Sequence, residues 1–197
     1  MRPKTPLVVV ALAVALLFSA PKTFAQNLLT NGSFESGDFT GWSTGGNFED
    51  TEVVTGPFYV YTGAQDGNFY AVAGPVGSPG TIGQSFTDTA GASYTFSFYM
   101  ASVGDDPSHF TAFWNNTPVL DMSDPNNGGV WTLYSFNETG TGHDTISFSI
   151  QDDPAFIALD NVSVTPGSGS TPEPSSIMLL GTGLLGLGAM ARRKLRR

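Results

Sequence analysis

The ionisable side chains of this 197-residue chain are separated along its length by the sign of their charge. All seventeen Asp and Glu residues lie between Glu35 and Glu173, whereas the eight Lys and Arg residues lie only near the two ends. Because the interior has no cation to neutralise phosphates, nucleic acid is excluded as a partner of this part. Carboxylates without counter-charges favour divalent cations instead.

Three tyrosines are placed where a ring could meet a sugar. Tyr99 points to the opposite side of its predicted strand from Phe96 and Phe98, and Tyr59 and Tyr61 fall in a loop-like segment. A pyranose has apolar faces and a hydroxyl rim, so an outward ring beside amides and carboxylates can bind it. Core packing is the alternative for each ring, because proteins bury most of their large aromatic side chains.

Catalytic signatures are weak. The chain has no cysteine and only two histidines, His109 and His143, so thiol chemistry and a three-histidine zinc site are excluded. No Gly-x-Ser-x-Gly elbow occurs, and acids are numerous enough to reach glycosidase separation by chance. We therefore expect a protein that is not an enzyme, with both histidines on the surface or in turns.

The elements that must position these residues are β-strands. Apolar residues alternate with polar ones in the segments 94–100 and 145–150, which is the period of a half-buried strand. Asn115-Asn116 separates two such runs and predicts a short hairpin, because Asn tolerates positive φ. Many short strands without a helical segment predict one all-β sandwich over residues 26–166.

The first 25 residues are typical of a secretory signal peptide. Arg2 and Lys4 precede an apolar run from Leu7 to Phe18, and the small residues of Thr23-Phe24-Ala25 follow. The alternative, a transmembrane helix, needs about 20 apolar residues, and this run is shorter. We expect residues 1–25 to be removed on export.

The C-terminus has three parts, which follow a linker at residues 167–171. The motif Pro172-Glu173-Pro174 precedes an apolar stretch over residues 175–191. Seventeen residues at about 1.5 Å each span about 26 Å, enough to cross a bilayer core as a helix. A basic tail, expected to stay in the cytoplasm, ends the chain. Its cations are Arg192, Arg193, Lys194, Arg196 and Arg197.

This ending, residues 172–197, closely resembles the PEP-CTERM sorting signal of Gram-negative bacteria that make exopolysaccharide. The resemblance implies transient insertion in the inner membrane, recognition by an exosortase and removal of the tail near the Pro-Glu-Pro motif. The protein would then reach the cell surface or the extracellular matrix. An ordinary tail anchor is the alternative.

The two edges of the predicted domain carry a second resemblance. The segment 27–37 with Trp42 is similar to the opening of galactose-binding-like jelly rolls, including carbohydrate-binding modules, and the segment 159–164 is similar to their closing strand. This resemblance implies a jelly-roll sandwich with a structural Ca²⁺ held by Glu35 and Asp160. The alternative is that both acids are solvated or bonded to the backbone.

These features together predict an exported, exosortase-sorted protein of the cell surface or matrix. We expect its domain to be a non-catalytic carbohydrate-binding module whose partner is a polysaccharide, associated with exopolysaccharide. The alternative is a structural coat or adhesion protein without specific sugar binding.

Overall fold

The computed structural model describes residues 26–104 and 106–167, and this part of the chain forms ten strands and no helix. The strands are β1 (Ser43–Gly46), β2 (Thr51–Thr55), β3 (Phe69–Ala73), β4 (Gly80–Thr87), β5 (Ser93–Ala101), β6 (Ser108–Trp114), β7 (Thr117–Ser123), β8 (Thr132–Thr139), β9 (His143–Asp152) and β10 (Ile157–Pro166).

The strands form two five-stranded sheets in which neighbours are antiparallel. Sheet 1 has the order β1-β4-β9-β6-β7, and sheet 2 has the order β2-β3-β10-β5-β8. From β3 onward almost every connection crosses from one sheet to the other, and only the β6–β7 hairpin stays within its sheet. The predicted all-β jelly-roll sandwich is confirmed.

The main core lies between the sheets and is rich in phenylalanine. Phe96 and Phe98 of β5 and Phe148 of β9 are completely buried, and the rings of Phe98 and Phe148 meet edge to face at 5.0 Å. Alternate residues of both strands point inward, as the sequence pattern predicts. The polar residues between them face outward, which leaves the outer faces of both sheets for other contacts.

The predicted hairpin at Asn115-Asn116 is confirmed. Asn115 and Asn116 connect β6 to β7 with φ of 48° and 62°, as a two-residue hairpin with positive φ at both residues requires. Gly45-Gly46, a pair of residues common in turns, belongs to strand β1. A Cβ at Gly46 would lie 2.6 Å from the carbonyl oxygen of Pro79, so glycine allows this strand to approach its neighbour.

A second, smaller apolar cluster lies on the outer face of sheet 2. Tyr70 and Val72 of β3 belong to it, whereas Ala71 between them belongs to the main core. The segment 56–68 covers this cluster and is held there by hydrogen bonds. The Tyr70 hydroxyl donates to the carbonyl of Gly56 at 2.9 Å, and the Trp131 indole N–H donates to the carbonyl of Gly63 at 3.0 Å.

The two ends of the domain are joined at β10. The amide of Leu28 donates to the carbonyl of Val164 at 2.8 Å, and the amide of Val162 donates to the carbonyl of Gly32 at 2.9 Å. A Cβ at Gly32 would collide with the carbonyl oxygen of Val162. This close approach explains why a glycine stands in the opening motif.

The predicted signal peptide at residues 1–25, most of the predicted linker and the sorting segment 172–197 lie outside the described residues. Within the described ranges, no helix has the length and hydropathy needed to cross a bilayer.

Candidate functional site

Asp160 is a buried carboxylate that holds the segment 65–69 against β10. Its Oδ2 accepts hydrogen bonds from the amides of Gln65 at 2.8 Å and Asp66 at 2.9 Å, and its Oδ1 accepts one from the amide of Asn161 at 2.6 Å. Burial raises the pKa of Asp160 to about 6, although the three N–H donors oppose this shift. The carboxylate therefore stays in a solvent-free site because backbone dipoles stabilise it.

Glu35 binds the other end of the same segment. Its Oε1 accepts hydrogen bonds from the amides of Asn68 and Phe69, both at 2.8 Å. Gly67 lies directly against the carboxylate, where a Cβ would overlap the Glu35 side chain. We call Glu35, Asp160 and the backbone of residues 65–69 the carboxylate latch.

The latch brings together the two acids that the sequence predicts as calcium ligands. Both are bonded to the backbone, as in the alternative that the sequence leaves open. A carboxylate offers about four lone-pair positions, and N–H donors occupy three on Asp160 and two on Glu35. Calcium takes six to eight oxygens, so carbonyl groups and water would have to supply most of them.

Among the described residues, no group of three or more His, Cys, Asp or Glu side chains could hold a metal ion. The carboxylate oxygens of the latch bind amides of the segment 65–69, and these two side chains alone supply fewer oxygens than calcium takes. The structural calcium ion stays a prediction.

The three predicted sugar-binding tyrosines differ in exposure, and the prediction for Tyr61 is wrong. The Tyr61 side chain is 2% exposed, lies in the cluster under the segment 56–68, and donates its hydroxyl hydrogen to the carbonyl of Phe156. A ring in this position packs against the sheet and cannot stack on a ligand. The loop-like sequence around it hides this role, since the loop folds back on the sheet.

Tyr59, by contrast, belongs to an exposed apolar surface. The described residues include five exposed large hydrophobic side chains, and four of these lie in the segments 59–60 and 130–133. They are Tyr59 (57% exposed), Val60 (49%), Val130 (64%) and Leu133 (53%). Gly129 would place a Cβ 3.5 Å from Val60, so the two segments lie side by side.

Tyr99 extends this surface along sheet 2. It is half-buried, points outward from β5, and is directly opposite Leu133 in the β5–β8 ladder. We call Tyr59, Val60, Tyr99, Val130 and Leu133 the apolar platform. Sequence reasoning missed Val130 and Leu133, although Leu133 alternates with the inward residues Tyr134 and Phe136 and so had to face outward.

Polar side chains continue the same outer face beyond the platform. Ser97 of β5 is paired with Ser135 of β8 and with Ser163 of β10, and the Thr95 hydroxyl donates to the side-chain oxygen of Asn137 at 3.4 Å. These hydroxyl and amide groups are neutral. An apolar platform beside neutral hydrogen-bonding groups is a surface suited to a sugar chain.

Two neighbouring carboxyl groups, of the buried Asp144 and the half-buried Asp88, lie at the opposite end of β8. Asp144 accepts hydrogen bonds from the Asn115 side chain at 2.7 Å, from the Thr141 amide at 2.9 Å and from the Thr141 hydroxyl. Burial opposes ionisation, but the hydrogen bonds outweigh it and lower the pKa of Asp144 to about 2. Burial and the hydrogen bond with Asp144 raise the pKa of Asp88.

Both histidines lie on the surface, as the sequence predicts. His109 on β6 contacts the carboxylate of Asp121 at 2.8 Å, and their side chains are 45% and 60% exposed. Ser123 lies 3.4 Å from the other ring nitrogen of His109. His143 is exposed at the start of β9.

The latch supplies a test of the calcium prediction. If a cation binds there, the melting temperature should rise with free calcium. The free energy of unfolding should increase by about 2.7 kcal/mol at a hundredfold excess of calcium over Kd. Glu35→Gln keeps an oxygen for both amides, so it should remove this gain while changing the calcium-free melting temperature little. Asp160→Asn should lower both the calcium-dependent gain and the calcium-free melting temperature, because its NH₂ group would face an N–H donor. A melting temperature indifferent to millimolar calcium and to EDTA would contradict the prediction.

The acid pair predicts opposite effects from two identical substitutions. Asp144→Asn should cost about 1–3 kcal/mol of stability at pH 7, because it leaves a donor of the cluster without an acceptor. The raised pKa of Asp88 means that its ionisation destabilises the fold as the pH rises through that pKa. Asp88→Asn should therefore raise the melting temperature at pH 7 and not at pH 4. Thermal melts at both pH values check this, and a loss of stability in Asp88→Asn at pH 7 would be the contrary result.

Comparisons with known proteins give separate results for the C-terminal segment and for the sandwich domain. Residues 170–194 match the PEP-CTERM protein-sorting motif, which indicates an exported protein with a C-terminal sorting signal. No curated protein matches the chain significantly.

Three solved structures share the fold of the domain. TmCBM61, determined in complex with β-1,4-galactotriose, is 16% identical with a TM-score of 0.59, and the match covers 73% of this chain and 100% of that one. The K3 adhesin domain of Lys-gingipain from Porphyromonas gingivalis W83 is 15% identical with a TM-score of 0.53, covering 73% and 100%. The active domain of tailspike protein 4 from bacteriophage CBA120 is 15% identical with a TM-score of 0.54, covering 72% and 21%.

At these identities the likeness concerns the fold alone. The chain thus carries a PEP-CTERM sorting motif behind a jelly-roll domain with the fold of a carbohydrate-binding module.

Proposed function

We propose that the domain binds a neutral polysaccharide on the apolar platform and catalyses no reaction on it. The observation that carries this proposal is the concentration of exposed apolar side chains. Four of the five large hydrophobic residues exposed in the described ranges lie in this one surface. A soluble domain keeps such a patch where it contacts a ligand or a partner.

The chemistry around the platform favours a sugar over other ligands. Tyr59 and Tyr99 offer ring faces, and the strands beside them offer hydroxyl and amide groups without a formal charge. The described residues contain no Lys or Arg, so an anionic polymer finds no counter-charge there. Neutral glycans meet no repulsion from the acidic surface.

A protein with a similar fold is known to bind a neutral saccharide, which supports this proposal. TmCBM61 was determined in complex with a neutral galactose trisaccharide and shares the sandwich over its whole length. The similarity to an adhesin domain of Lys-gingipain supports the second candidate, an adhesion or coat protein without specific sugar binding. Glycan binding by the platform separates the two candidates.

We further propose that an exosortase processes the chain at the inner membrane and releases the domain to the cell surface or matrix, where exopolysaccharide is its ligand. The sorting motif at residues 170–194 supports this proposal. Removal of both ends would leave a mature protein without Lys or Arg, since all eight lie outside the domain.

Valine variants inside and outside the platform test whether this surface binds the polysaccharide. Val130→Ala and Tyr59→Ala should each weaken binding to a neutral polysaccharide by about tenfold, since losing a contact of about 1.4 kcal/mol has that effect. Val76→Ala, an equally exposed valine outside the platform, should bind like the wild type. Affinity electrophoresis in gels containing neutral galactan, xylan or glucan measures the differences, which should not depend on salt. Tight binding to a sulfated polymer in EDTA at low salt would contradict the proposal.

The sorting motif predicts where processing fails. Changing Pro172, Glu173 and Pro174 to alanine, or deleting residues 192–197, should leave unprocessed protein in the membrane fraction of the native host. Replacing the four tail arginines with lysine keeps the charge and should be tolerated. Immunoblots of membrane and surface fractions check both results. A motif variant that reaches the surface at the wild-type mass would overturn the sorting proposal.

A further inference from the structure

An open cleft lies where the edge strands of the two sheets face each other, at the far end of β8 from the platform. Its volume is about 470 Å³. One wall comes from β6, the Asn115-Asn116 hairpin and β7, and the other from β8 and the connection to β9. The residues that matter below are Trp114, Thr117, Pro118, Phe136, Glu138 and Thr139.

Glu138 is the unusual residue of this cleft. It lies on the inward side of β8, in alternation with Phe136, and is half-buried. In the part of the chain that the structure describes, no hydrogen bond satisfies its carboxylate, and burial raises its pKa. A carboxylate partly removed from water gains free energy from any donor that a ligand brings to it.

Apolar and hydroxyl groups surround this acceptor. Trp114 and Phe136 belong to the main core and line the cleft from its two opposite walls, and Pro118 lies on the same wall as Trp114. The hydroxyls of Thr117 and Thr139 are at exposed positions of the rim. This is the composition of a sugar site, in which apolar contacts bind the ring and a few polar groups select its hydroxyls.

The two walls are held together before any ligand arrives. Asp144 accepts hydrogen bonds from Asn115 of the hairpin and from Thr141 of the β8–β9 connection, so one buried carboxylate fixes both sides. The Asn115 side chain also accepts a hydrogen bond from the amide of Thr145 at 2.9 Å. A preformed cleft loses little conformational entropy when it binds.

We propose that this cleft is a second binding site for a neutral sugar residue, whose hydroxyls donate hydrogen bonds to Glu138 while its ring contacts Trp114, Phe136 and Pro118. The inference rests on the proposed function and deepens it, because the second site serves the same class of ligand.

Strand β8 connects the two sites. Leu133 of the platform and Glu138 of the cleft are five residues apart, which is about 17 Å along a strand. A polysaccharide long enough to reach both sites binds the second at a high effective concentration, whereas a short oligosaccharide occupies one site at a time. The domain should therefore prefer polymers to their trisaccharides.

The test compares Glu138→Gln with Glu52→Gln, the same change on the exposed face of β2. The full chain is kept in a detergent without a sugar headgroup, and calorimetry measures binding of β-1,4-galactotriose, xylotriose and cellotriose and of the corresponding polymers. We expect Glu138→Gln to weaken binding of the preferred polymer about tenfold, and Glu52→Gln to leave it unchanged. Val130→Ala combined with Glu138→Gln should abolish it. Melting temperatures verify that each variant is folded.

The outcomes separate this inference from the proposed function. If Val130→Ala weakens binding and Glu138→Gln does not, the platform binds alone and the second site is refuted. If only Glu138→Gln weakens binding, the cleft is the site and the platform is refuted. If no neutral saccharide binds the wild type, both proposals fail. An edge-protecting role for Glu138 would show as aggregation of Glu138→Gln with unchanged affinity, which also refutes the second site.

Discussion

Two buried carboxylates of this domain, Asp160 and Asp144, accept hydrogen bonds from N–H and O–H donors, because no Lys or Arg lies within the described residues to pair with them. Asp160 and Glu35 accept five amide hydrogen bonds between them and attach the segment 65–69 to the sheet. Asp144 joins the β6–β7 hairpin to the β8–β9 connection in the same way. Each acid stabilises a loop beside a candidate binding surface, so the surfaces keep their shape without ion pairs to Lys or Arg.

The same lack of cations limits what the surfaces can bind. A ligand with phosphate, sulfate or carboxylate groups would meet only like charge, which is incompletely screened within about 8 Å at physiological salt. Tyr59 and Leu133 at one end of β8 and Glu138 at the other offer apolar contact and a hydrogen-bond acceptor. A neutral, hydroxyl-rich polymer satisfies both without an electrostatic penalty.

The comparisons agree with this division between scaffold and surface. A sugar-binding module, an adhesin domain and part of a phage tailspike all share the sandwich at about 15% identity. The sandwich fixes where strands and loops lie, whereas the residues on its outer face and edges decide what is bound. The function must therefore be argued from Tyr59, Val130 and Glu138, which the fold exposes but does not prescribe.

The sequence alone determined the strands that contain Phe96 and Phe148, because side-chain alternation is a local property and sorts both residues to the core. It also determined the Asn115-Asn116 hairpin, since positive φ at two consecutive residues favours asparagine. Only the tertiary structure decided that Tyr61 is buried and Tyr59 exposed, because the segment 56–68 folds back on sheet 2 through contacts with Trp131 and Asp160 that are distant in sequence. The position of Glu138 in the cleft likewise depends on two edge strands from different sheets, and no local sequence pattern predicts that these strands lie close together.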